Sequence, residues 1–180
     1  ASSGDMLWDI DLGLGISAPP ITYKIGNKQY LSVLVGWGGA GAAGFDRDGI
    51  TLGWAYGVHD RRLVTFTLGG ELELPSQPPP HFPAPLVDTG FTLDGDLAEA
   101  GSTLYLEGFC AFCHGANAVA AGMAPDLRAS QIPLDQQTFA SVVRDGAFIS
   151  RAMPAHPELT DQELEAIRHY IRQQAISAER

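Results

Sequence analysis

Six prolines fall between Pro75 and Pro85, and no helix or central strand can run through them. Each proline lacks an amide donor and fixes its own φ. The stretch Pro75-Ser76-Gln77-Pro78-Pro79-Pro80-His81-Phe82-Pro83-Ala84-Pro85 is predicted to be extended, in polyproline geometry, and to act as a semi-rigid spacer. It divides the chain into three expected regions: residues 1–74, a Pro-rich linker over 75–95, and residues 96–180.

The first region is rich in glycine, β-branched and aromatic residues. Strands are predicted at 21–25, 29–35 and 62–68, with Ile25-Gly26-Asn27-Lys28-Gln29 as a tight hairpin turn. A glycine-rich loop, Gly36-Trp37-Gly38-Gly39-Ala40-Gly41, follows the second strand. Its spacing does not open a helix, which disfavours a phosphate or dinucleotide loop. Close approach of backbone to a flat ligand is the better functional reading.

The third region has helical periodicity throughout. A first helix is predicted over Leu97 to Phe109 and a second over Pro133 to Arg144, stopped by Asp145-Gly146. The last helix is predicted to start at a capping box, Thr160 at the N-cap and Glu163 three residues on. Its apolar stripe is Leu164, Ile167, Tyr170 and Ile171.

Only two cysteines occur in the chain, Cys110 and Cys113, and His114 follows the second. A structural disulfide and a dithiol redox pair are both open to a C-x-x-C spacing. With His directly after it, the pattern is the attachment signature of c-type haem. Each thiol can form a thioether to one porphyrin vinyl group, and His114 then lies next to the iron as its proximal ligand. A methionine sulfur in the sixth position favours Fe(II) and simple electron transfer. Met153, thirty-nine residues after His114 in a loop between two predicted helices, has enough chain to reach the far haem face. Met123 is only nine residues away, too close to leave the proximal side. His156 and His169 are the weaker rivals. Pro125 is placed to accept the His114 Nδ1–H through its carbonyl, and Arg128 is a candidate partner for a haem propionate.

The net charge is −10, and no Lys follows Lys28. That balance argues against nucleic acid as a partner, since phosphate neutralisation needs clustered cations. It leaves a solvated acidic surface or the steering of a basic partner. No run of eighteen apolar residues exists, so no bilayer span is predicted. The first residues show no basic-then-apolar leader pattern.

Residues 97–171 resemble class I cytochrome c: a first helix, Cys-x-x-Cys-His, a Pro-containing loop, a Met-Pro loop and a closing helix. The chain as a whole resembles the C-terminal end of a quinohaemoprotein alcohol dehydrogenase, a PQQ-dependent β-propeller fused to cytochrome c. Pro20-Ile21-Thr22-Tyr23, Gly26-Asn27-Lys28-Gln29-Tyr30, Gly36-Trp37-Gly38-Gly39 and the stretch 62–70 carry that likeness in the first region. Pro125-Asp126-Leu127-Arg128-Ala129-Ser130 and Ala166-Ile167-Arg168-His169-Tyr170-Ile171 carry it in the last.

The resemblance implies a mixed fold, with a partial all-β propeller end, the Pro-rich linker and an all-α cytochrome c domain. It implies one covalent haem c here, with Pro125 and Met153 in the roles given above, and PQQ and calcium in the complete enzyme. Trp37 falls in the loop that approaches the PQQ pocket in that family. The catalytic Asp, the calcium ligands and most PQQ contacts lie outside this stretch, which alone is expected to lack dehydrogenase activity. Electrons are expected to come from the PQQ propeller domain and to leave for a blue copper protein, another cytochrome or a quinone oxidase, in the bacterial periplasm. The rival class is a ligand-binding or peroxidase-type haem, which needs an exchangeable sixth position.

Overall fold

The computed structural model describes residues 3–16, 18–36, 59–76, 83–120 and 123–178. Two groups of elements follow one another along the chain: a three-stranded sheet and then a set of helices.

Strands β1 (Ile21–Ile25), β2 (Lys28–Val35) and β3 (Arg62–Thr67) form an antiparallel sheet in that spatial order. The β1–β2 hairpin closes through Gly26 and Asn27. Gly26 adopts φ 59°, and glycine takes the left-handed region without the steric cost that any Cβ incurs. Register follows the turn, with Tyr23 opposite Tyr30, their rings stacked at 5.4 Å. Ser32 lies opposite Thr65, and their hydroxyls meet at 2.7 Å. One face buries Val33, Val35 and Val64 against Leu12, with Leu14 and Phe66 at the margin. The expected strands are thus present, each within one residue of its predicted bounds. Trp37 and most of its glycine-rich loop lie outside the described residues.

Helix α1 (Gly95–Glu107) starts under Asp94, whose carboxylate accepts from the amides of Asp96 and Leu97. It ends two residues before the predicted Phe109. Phe109 instead takes a left-handed conformation, φ 57°, and re-aims the chain into the short helix α2 (Cys110–His114). The predicted second helix is also shorter than expected. A single 3-10 turn holds Ile132–Leu134, Asp135 caps the chain anew by accepting from the Thr138 amide, and α3 spans Gln136–Val143. Pro133, buried and without an amide proton, fits the start of a turn rather than the body of a helix. The break at Asp145-Gly146 is as predicted, with Gly146 at φ 76°.

Helix α4 (Asp161–Ala178) opens on the expected capping box in both directions. The Thr160 amide donates to the Glu163 carboxylate at 2.8 Å, and the Glu163 amide donates to the Thr160 hydroxyl at 3.3 Å. All four residues of its predicted apolar stripe are buried. They join Tyr105, Ala118, Phe139 and Val143 in the core of the helical part. The helices α1 and α4 approach most closely at Gly101, where a Cβ would sit 1.9 Å from the Ala166 carbonyl oxygen. Only a glycine permits that crossing.

Candidate haem site

Helix α2 is a single helical turn carrying Cys110, Cys113 and His114. Its brevity places two sulfurs and an imidazole within one turn of each other. Both cysteines are free thiols, half-buried. Burial pushes the Cys110 thiol up to about 11. A dithiol redox pair works through a depressed, exposed thiolate, and Cys110 departs from that pattern. Gly115 ends the turn at φ 79°, its amide donating to the Ala111 carbonyl at 2.8 Å.

His114 Nδ1 lies 3.2 Å from the Pro125 carbonyl oxygen. A carbonyl can only accept, so Nδ1 carries the proton and Nε2 is left with its lone pair. Burial lowers the imidazole pKa, and the bond to Pro125 opposes that shift. The neutral ring is the form that binds a metal. The structure thus brings His114 Nδ1 and the Pro125 carbonyl within hydrogen-bonding distance.

Arg128 is committed elsewhere. Its Nε and Nη2 hold the two carboxylate oxygens of Asp126 at 3.0 and 2.7 Å, and its amide donates to the same carboxylate at 2.9 Å. Asp126 is buried, and the fork satisfies both oxygens. The propionate role expected of Arg128 competes with this closed pair, and the guanidinium instead stiffens the turn that carries Pro125.

Met153 is half-buried and packs at the margin of the helical core, as do Cys110 and Ala111. A tight turn delivers it: the Met153 amide donates to the Phe148 carbonyl, and Ala152 before it has φ 64°. Met123 is 39% exposed and stands apart from that cluster. The other rivals are occupied. His169 is buried, accepting from the Asp94 amide at Nδ1 and facing Glu165 through Nε2, while His156 meets Glu158 at 3.1 Å.

These residues fit a c-type haem by the chemistry of the donor set. Two thiols, an imidazole whose tautomer is fixed, and a thioether bordering the same core are what covalent attachment and two axial bonds require.

The family model described as cytochrome c oxidase, cbb3-type, subunit III matches residues 96–171. A quinohaemoprotein alcohol dehydrogenase from Pseudomonas putida HK5 superposes with TM-score 0.71 at 32% identity, covering 98% of this chain and 25% of that one. Residues 96–171 thus resemble a cytochrome domain, and the chain as a whole is similar to part of the quinohaemoprotein alcohol dehydrogenases. The corresponding enzyme of Comamonas testosteroni matches at TM-score 0.63 and 27% identity, over 92% of this chain and 22% of its own. Among curated relatives, the lupanine 17-hydroxylase (cytochrome c) of a Pseudomonas species is 37% identical over 99% of this chain and 25% of its own length. The dehydrogenase subunit of the quinone alcohol dehydrogenase of Acetobacter aceti is 34% identical over 95% of this chain and 22% of its own. The chain thus spans about a quarter of the relatives it matches, and the sheet ahead of the cytochrome domain falls within the matched stretch.

Two groups at this site were not singled out by sequence. The hydroxyls of Tyr105 and Tyr170 donate to the Gly115 and Ala116 carbonyls, at 2.9 and 3.2 Å. An aromatic residue on an apolar helix face reads as core, and nothing in the spacing signals where its hydroxyl ends.

Proposed function

We propose that this cytochrome domain holds haem c by thioethers at Cys110 and Cys113, with His114 and Met153 as axial ligands, and relays single electrons. The observation that carries the reading is the His114–Pro125 contact beside both thiols. A fixed Nδ1–H tautomer makes Nε2 the metal-binding nitrogen and raises its basicity. When bound, the haem supplies a one-electron Fe(III)/Fe(II) couple. The chain's own work would be to hold that group through Cys110, Cys113, His114 and Met153 and to shield it. Pro125 orients the imidazole, Asp126 and Arg128 brace the turn behind it, and Met153 brings a sulfur that favours the reduced state.

In the full-length protein the electrons come from PQQ in a calcium-dependent propeller, to which residues 1–74 contribute the last strands. The linker at 75–95 joins the two halves, and the acceptor is a blue copper protein, a cytochrome or a quinone oxidase in the periplasm. Relatives sharing this stretch are named for an alcohol, for 1-butanol and for lupanine, so substrate choice resides outside it. The present stretch by itself turns over no alcohol.

Denaturation in alkaline pyridine tests attachment directly: the expected result is a haem spectrum that stays with the protein, and a colourless chain overturns the proposal. Carbon monoxide titration of the reduced native protein separates the rival. Rapid, tight binding would mark a ligand-binding or peroxidase-type haem, whereas Met153 in the sixth position predicts slow, weak binding.

A further inference from the structure

Helices α1 and α4 cross at Gly101, and each sends one phenol past the crossing to the same short segment. Tyr105 is 0% exposed and its hydroxyl donates to the Gly115 carbonyl at 2.9 Å. Tyr170, also buried, donates to the next carbonyl, that of Ala116, at 3.2 Å. The two rings lie 5.1 Å apart at 52°, each restricting the other's rotation. The Ala118 amide closes the segment onto the same two carbonyls, at 3.3 and 2.9 Å, with Ala118 fully buried at φ 59°.

Each phenol adds a second donor to a carbonyl that already accepts from the Ala118 amide, a hydrogen bond worth about 0.5–1.5 kcal/mol, so the two phenols help hold this backbone in one arrangement. The Tyr105 hydroxyl is pushed far above the usual phenol range by its burial, so it stays a donor throughout the working pH range. His114 is the residue immediately before the pinned pair, and its ring is fixed at the other end by Pro125.

We propose that Tyr105 and Tyr170 are positioning residues for the His114 ligand: paired phenol donors, one from each crossing helix, that fix the backbone after the histidine and keep water from it. This rests on the haem-binding reading above. Loosening the segment admits water beside the imidazole and stabilises the more highly charged ferric state, so the potential must respond to the hydroxyls alone.

The test uses Tyr105→Phe, Tyr170→Phe and the double variant in the full-length, haem-loaded protein. Phenylalanine keeps the tilted ring contact and the burial and removes the hydroxyls. Spectroelectrochemistry at the haem bands is expected to show a lower midpoint potential in the double variant than in the parent. Amide hydrogen exchange at Ala118 is expected to be about fivefold faster, the loss of two hydrogen bonds at the low end of their usual worth. Each single variant moves in the same direction by less, and carries the test where the double variant does not fold. An unchanged potential, or unchanged exchange at Ala118, overturns the positioning role even if the melting temperature falls. A parent protein with no haem in alkaline pyridine overturns the haem reading and this role together, whereas haem retained with an unmoved potential overturns this role alone.

Discussion

Two methionines are candidates for the sixth position of the proposed haem, and their surroundings differ more than their spacing does. Met153 borders the core on which Cys110 also packs, delivered by a turn that Ala152 closes in a left-handed conformation. Met123 is two residues before Pro125 and stands open to solvent. A sulfur held at the edge of a packed core has lost most of its rotamer entropy before it binds, and a solvated one has not. Met153→Ala is therefore expected to abolish the near-infrared charge-transfer band of the oxidised protein, and Met123→Ala to spare it. A band that survived Met153→Ala would move the sixth ligand elsewhere. Cys110 makes a second residue-scale prediction, in chain freed of haem and reduced. A thiol whose pKa rises from 9.0 to about 11 on folding binds its proton more tightly in the folded state. Its contribution to stability is complete below about pH 9 and disappears as the pH climbs towards 11. Iodoacetamide should accordingly modify Cys110 slowly at pH 8 and faster over that window. Brisk labelling at pH 8 would show that the thiol is not shielded as its burial requires.

At the scale of elements, the crossing of α1 and α4 decides whether the site exists. Gly101→Ala places a methyl on the Ala166 carbonyl, and both atoms belong to helices that cannot yield separately. The expected cost is about 3 kcal/mol, the upper end of ordinary overpacking, read as a lower denaturation midpoint at unchanged slope. Thr160→Ala, by contrast, removes one half of the capping box and should cost about 1 kcal/mol. Periodicity and cap chemistry made the α4 capping box and stripe readable in sequence, because each is a local rule. The Cys-x-x-Cys-His turn was equally readable, since the residue types and their spacing form one local pattern that folds as a single short helix. The ends of α1 and α3 were not, because tertiary demands set them. Phe109 abandons helical geometry to swing α2 into place, and Asp135 caps a helix that Pro133 alone would have started earlier. The two phenol anchors were invisible for the same reason, since a side chain's partner across the fold leaves no trace in its neighbours, and the Asp126–Arg128 pair, though local, was masked by reading Arg128 as a propionate partner. Each of those three contacts nonetheless braces backbone next to a residue that spacing did identify.

At the scale of the whole molecule, the C-terminal part of the proline-rich linker belongs mechanically to the helices. Leu86 donates its amide to the Arg128 carbonyl at 2.8 Å and accepts through its own carbonyl from Arg172. Phe91 packs against His169 with the rings tilted and their centroids 4.7 Å apart, and lies beneath the Arg168 guanidinium at 5.3 Å, and the Asp94 amide is held by His169. The spacer is therefore short, because the chain is already bound to α4 and to the Asp126 turn some nine residues before α1 begins. Arg172 is the unusual member of this clasp. It is 0% exposed, burial lowers its pKa, and its Nε and Nη1 find no hydrogen-bond partner among the described residues. A buried cation with idle donors contributes little net stability, and an apolar side chain of similar length often replaces one at no cost. Arg172→Met should consequently leave the melting temperature of the cytochrome domain within a few degrees of the parent, while freeing the Leu86 carbonyl. The measurable consequence is local. Limited proteolysis should cut faster across 83–91 in the variant than in the parent, and the released helical fragment should keep its haem. A large fall in melting temperature with no change in cleavage would mean that Arg172 supports the helical core itself and that the linker is clasped by Phe91 and Asp94 without it.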